Sequence, residues 1–277
     1  MIKKTLVLFI ICFLAFFNNG LINFVSDANF LEVAEEEAAG PSFLPIDANT
    51  VQGWAGGMGG TTSESGTSDG NTAWTLTGTD STTASVSVTM GDTTIEGTTR
   101  NFSGSNNYLT NNTSSLITGT LGDYTIEAIV KPDDLSHDNA RVWGSLNNDG
   151  IQTMIMSDGG FDHYEDEGGS GGFVAQIGGS MGTSSFTHIV VSVHQTAVSG
   201  VKCRVAYKTD GIITDLTGTG GAGQPDVMGT SATIESTHTD PDGWWIGNGN
   251  NGVLGSSNSG FDGQMFEFRI SNIGRYY

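Results

Sequence analysis

Hydrophobic and polar residues alternate with a period of two along most of this chain. The plainest case is 261–271: Phe266, Phe268 and Ile270 fall on one side of an extended strand, and Met265, Glu267, Arg269 and Ser271 on the other. The pattern predicts a half-buried strand, with Gly260 and Gly263 at its entry. Residues 124–131 repeat it, with Tyr124, Ile126, Ala128 and Val130 on one face and Pro132 as the stop. Further short strands are predicted over 73–77, 84–90, 98–103, 151–156, 172–177, 188–194, 201–208 and 244–247. Gly, Asn and Asp turns separate them, and no helical period intervenes. The expectation is one all-β domain over 73–277, an antiparallel two-sheet β-sandwich without an internal repeat.

The first 28 residues follow another pattern. Lys3 and Lys4 precede an apolar run over 5–17, and Ser26-Asp27-Ala28 supplies the small residues of a cleavage site. This predicts a signal peptide. The apolar character continues through Leu21, Ile22, Phe24 and Val25, however, so a hydrophobic helix over 5–25 would also span a bilayer as an anchor. On both readings the remainder is secreted or at the cell surface. Residues 29–72 read as a spacer, acidic at first and then Gly/Ser/Thr-rich, with at most a weak strand after Val51.

Charge narrows the partners. The net charge of −20 leaves no basic stripe for phosphates, which excludes nucleic acid and disfavours anionic membrane surfaces. Acidity suits solubility or cation binding. Cys12 lies in the N-terminal apolar run, and Cys203 falls on the face of Val201, Val205 and Tyr207 as a buried thiol. Neither a disulfide framework nor a zinc site is expected. The sequons at Asn101, Asn111 and Asn112 agree with export.

Five segments, taken in order, resemble one family. Phe102-Ser103-Gly104, followed by Tyr108-Leu109, resembles the opening of laminin-G-like, concanavalin A-like jelly rolls. Tyr124-Thr125-Ile126-Glu127-Ala128-Ile129-Val130-Lys131-Pro132 is similar to that family's Y-T-hydrophobic-E-x-W-hydrophobic-K-P strand, with Ile129 in the tryptophan position. Phe186-Thr187-His188-Ile189-Val190 is similar to its W-x-H-V-A strand. Trp245-Ile246-Gly247-Asn248-Gly249 and the closing Phe261-Asp262-Gly263 strand complete the set, over about two thirds of the chain. The resemblance implies a two-sheet jelly roll with loops at its rim. Members are mostly glycan- or protein-binding modules, often calcium-assisted, and some relatives are glycoside hydrolases.

A glycosidase needs two carboxylates about 5–10 Å apart. The hydrolase relatives carry them in an E-x-D-x-E pattern, which this chain lacks. Glu165-Asp166-Glu167 comes nearest and reads as a solvated acidic loop. His188 and His194 read as outward-facing strand residues that could line a groove. No enzyme is expected.

Calcium is the stronger cation hypothesis. It takes about six to eight oxygens. Asp158 and Asp162 in one loop, and Asp240 and Asp242 in another, could supply some of them. Sugar binding combines an aromatic face with amide and carboxylate hydrogen bonds. Trp244, Trp245, Asn248 and Asn250 offer that combination, with Tyr164 as a further candidate; alternation turns one tryptophan of the pair inward. The expected function is an exported, non-catalytic module binding a glycan or surface protein through its loop rim. The rival is a structural or assembly protein of a virion or cell surface, which would form an oligomer. A glycoside hydrolase is the third reading.

Overall fold

A computed structural model describes residues 41–59, 74–79, 81–104, 107–111, 123–136, 140–145, 151–165, 172–179, 181–234, 244–247 and 260–276. The expected signal peptide or anchor over 1–28 lies outside them. Two antiparallel sheets form a sandwich, as the alternation requires. Among the described residues no helix is long and apolar enough to cross a membrane.

One sheet runs through β13 (Val227–Ser231), β12 (Val201–Lys208), β11 (Thr187–Val198), β6 (Tyr124–Pro132), β15 (Asp262–Ser271), β4 (Thr93–Ser103) and β3 (Thr82–Met90). β1 (Thr50–Trp54) adds an eighth strand by pairing with β15. The second sheet runs through β10 (Gly172–Ile177), β9 (Phe161–Glu165), β8 (Ile151–Ile155), β7 (Ala140–Ser145), β14 (Trp244–Ile246), β5 (Tyr108–Asn111) and β2 (Thr75–Thr77). The main core lies between the sheets. Ile126, Ala128, Val191, Val205 and Phe268 of the first meet Val142, Trp143, Ile151, Phe161 and Ile246 of the second.

Two features depart from the sequence reading. First, the domain starts earlier than residue 73. β1 puts Val51 and Trp54 into the core, and Leu44 is buried against Phe266 and Ile129. A stretch with two polar residues and a glycine among five carries too little alternation to stand out alone. Second, the outward face of the larger sheet is not a wet surface. Glu127, His188, Glu267 and Arg269 are all buried there, because 41–47, the loop after β12 and the C-terminal tail lie across it. Phe266, Ile129, Val88 and Ile95 form a second apolar cluster under this covering.

Candidate functional site

The turn between β8 and β9 builds the rim feature that stands out among the described residues. Ile155 and Phe161 close the ladder, and Met156 to Gly160 turn between them, with Met156 N donating to Gly160 O at 2.9 Å. Asp158 Oδ1 accepts from Gly160 N at 2.7 Å, an Asp/Gly turn device. Gly159 is left-handed (φ 78°) and presses on the next segment: a Cβ there would stand 2.6 Å from Met181 O. Only glycine satisfies both demands, so backbone packing sets the turn.

Beside this turn Asp162 pairs across the ladder with Gln176 of β10. Met156, Ser157, Asp158, Gln176, Ile177 and Gly178 line a partly open cavity of about 480 Å³. Asp162 sits behind Gln176 at 0 % exposure. Its Oδ2 accepts from Gln176 Nε2 at 3.0 Å, and its Oδ1 has no hydrogen-bond partner. Burial raises its pKa to about 6; the Gln176 hydrogen bond lowers it and the Asp158 charge raises it further. Asp158 and Asp162, expected together in one loop, are divided: Asp158 is in the turn and Asp162 on β9, still close enough for the Asp158 charge to act on Asp162. Gln176 carries no motif signal of its own; only its alternation with Ala175 and Ile177 sets it apart on its strand.

The other candidates fare differently. Trp244 and Trp245 are both buried, so neither indole offers a stacking face. Trp244 joins the core with Ile246, while Trp245 lies on the opposite side of β14 against Gly144, where a Cβ would come within 2.6 Å of its ring. Tyr164 is buried as well. A three-residue strand between two neighbours is covered on both faces, and alternation cannot signal that. Asn248, Asn250, Asp240 and Asp242 lie outside the described residues. Among those described, no group of three or more His, Cys, Asp or Glu is gathered as for a metal ion.

Glu165 is no loop residue. It ends β9 facing inward at 0 % exposure, where Tyr124 Oη donates to its Oε1 at 2.5 Å. His163 Nε2 lies 3.2 Å from the same hydroxyl, and Thr153 Oγ1 lies 3.1 Å from His163 Nδ1. This polar cluster is sealed between the sheets beside Cys203, whose thiol burial pushes well up. His188 is likewise buried, with Nε2 3.1 Å from Glu127 Oε2, so it lines no groove. His194 is held by Asp123 at 3.3 Å. Of the sequons, Asn111 is buried, Asn101 donates to Thr83 Oγ1 at 3.0 Å, and Asn112 lies outside the described residues.

The sequence matches no protein-family model and has no significant match among curated proteins. Solved structures do match. Domain 4 of AbnA, a GH43 extracellular arabinanase from Geobacillus stearothermophilus in complex with arabinotriose, has a TM-score of 0.50 at 14% identity, over 83% of this chain and 95% of that one. The binding domain of botulinum neurotoxin DC, in complex with rat synaptotagmin II, has a TM-score of 0.52 at 8% identity; the match covers 83% of this chain and 49% of that one. The present chain thus spans about half of the neurotoxin chain. Domains LG4-5 of the mouse laminin alpha1 chain score 0.41 at 15% identity, over 65% of this chain and 45% of that one. At such identities likeness speaks for the fold alone, and that fold is the laminin-G-like, concanavalin A-like jelly-roll sandwich.

Proposed function

We propose that this chain is a non-catalytic binding module of an extracytoplasmic surface, holding a glycan at the β8–β9 rim with calcium assistance. One observation carries the reading: a partly open cavity of about 480 Å³ beside a buried carboxylate whose second oxygen has no partner. Concave sites with a few converging polar groups are the usual form of ligand pockets. The comparison proteins lend general support, since the arabinanase domain was solved with arabinotriose and the neurotoxin domain with synaptotagmin.

Asp158 and Asp162 are of the right kind to hold calcium. Two carboxylates leave roughly four to six positions for backbone carbonyls and water. The ion would fix sugar hydroxyls by accepting their lone pairs.

Calorimetry of the full chain against a set of oligosaccharides, in calcium and then in EDTA, tests this. Calcium-dependent binding should weaken about tenfold in Asp158→Asn, the size of one charge-assisted contact. Indifference to EDTA would remove calcium from the reading, and indifference to Asp158→Asn would remove the site.

A further inference from the structure

Among the described residues, the cations lie away from the cavity. Thirty acidic residues face ten basic ones, and Lys3 and Lys4 are outside the described residues. Arg100, Arg141, Arg204 and Arg269 are buried. Arg275 is bound to Asp47 at 2.7 Å, and Lys208 is shared between Asp210 at 3.0 Å and Asp226 at 3.3 Å. Lys131 lies 3.8 Å from Asp133. Lys202 is the second residue of β12, next to Cys203, whose thiol feels Glu165 at the far end of β9 from the Met156–Gly160 turn. Arg141 shares the sheet face of Asp162, but β8 separates their strands, about 10 Å at the usual spacing.

The cavity wall has the opposite character. Asp158 lines it, and Asp162 stands behind Gln176. A carboxylate only accepts, so the Gln176 amide must direct its NH2 at Asp162 and turn its carbonyl away. The amide keeps its carbonyl as an acceptor and one further N–H, neither of which carries a charge to draw an anion. A carboxylate, an amide carbonyl and the apolar Met156 and Ile177 suit a ligand that donates hydrogen bonds. An anion would meet like charge with nothing to offset it.

We propose that the ligand of this cavity is an uncharged or amine-bearing sugar, and that sialylated and sulfated glycans are excluded. The inference rests on the binding reading above. Calcium works against the exclusion, because a divalent ion between the two aspartates neutralises them and also takes carboxylate oxygens, so the discrimination belongs to the calcium-free cavity and is read in EDTA.

The test is an array of neutral, amine-bearing and acidic glycans probed with the full chain, followed by titrations with lactose, a glucosamine trimer and sialyllactose, in calcium and in EDTA. The expected result is binding of neutral or amine-bearing members, with sialyllactose at least about tenfold weaker than lactose in EDTA. Gln176→Lys keeps a donor on Asp162 and adds a cation. With an unchanged melting temperature, it should weaken the glucosamine trimer about tenfold and abolish the discrimination. Equal binding of lactose and sialyllactose by the unaltered chain in EDTA, or no binding there at all, would overturn the inference while leaving a binding module. Selectivity that survives Gln176→Lys would overturn the placement in this cavity. A blank array under both conditions would overturn the inference and the module together.

Discussion

At the scale of single residues, Glu127 shows how much this sandwich asks of a buried charge. Its Oε1 accepts from Arg269 Nε at 2.8 Å, and its Oε2 from Tyr276 Oη at 2.7 Å and His188 Nε2 at 3.1 Å. His188 Nδ1 in turn accepts from Ile213 N, which places the ring proton on Nε2. Burial alone would raise the Glu127 pKa, but Arg269, His188 and Tyr276 outweigh it and hold it at about 2. The ionised form is therefore favoured by folding. Its stabilisation is full above the ordinary carboxylate value of 4.5 and is lost as pH falls through about 2. Glu127→Gln should cost roughly 3–5 kcal/mol at pH 7, because Arg269 is left buried without its counter-charge. Urea unfolding at pH 7, 5 and 3 should show the gap to the unaltered chain closing as pH falls; a gap constant with pH would refute this account. Alternation had assigned Arg269 to the polar side of its strand correctly. It could not show that this side is covered.

At the scale of elements, the strap over 41–47 decides whether the larger sheet has a dry outer face. Glu267 anchors it, accepting from Leu44 N at 2.7 Å, Ser42 Oγ at 3.1 Å and Phe43 N at 3.3 Å, while Gly56 N donates at 2.8 Å. Arg269 Nη1 donates to Pro45 O at 2.7 Å, and Arg275 holds Asp47. β1 then continues along β15 where β4 has ended: β4 pairs with Asp262 to Met265, and β1 with Phe268 to Ser271. Gly97 makes the approach of Gly56 feasible, since a Cβ there would lie 2.4 Å from Gly56 O. Leu44→Ala should cost about 2–5 kcal/mol, as for other buried leucines, and open the sheet to limited proteolysis. A change below about 0.5 kcal/mol by denaturant unfolding would show that the strap only decorates the fold.

At the scale of the whole molecule, the charge of −20 sets a repulsion that the sandwich must tolerate. The Arg side chains serve buried or tethered contacts, so they do little to screen surface acids. Self-repulsion between exposed charges falls as the Debye length shrinks from about 30 Å at 0.01 M salt to about 8 Å at 0.15 M. The urea midpoint should therefore rise as sodium chloride is added over that range. A midpoint that falls would mean that ion pairs, which salt weakens, dominate over net repulsion.

The chain on its own determined the all-β class, the positions of strands such as β6, β11, β12 and β15, and the buried thiol of Cys203. These follow from a period of two and from local turn chemistry, both of which act over a few residues. Tertiary structure alone decided that β9 is a strand with Glu165 sealed inside, that Trp244 and Trp245 are core rather than rim, and that Gln176 stands between Asp162 and the cavity. It also decided that 41–59 belongs to the sandwich. Burial of a polar face depends on partners far along the chain, as with Leu44 and Glu267, 223 residues apart. No local pattern encodes such a contact, because both partners look like ordinary strap and strand residues until the chain folds them together.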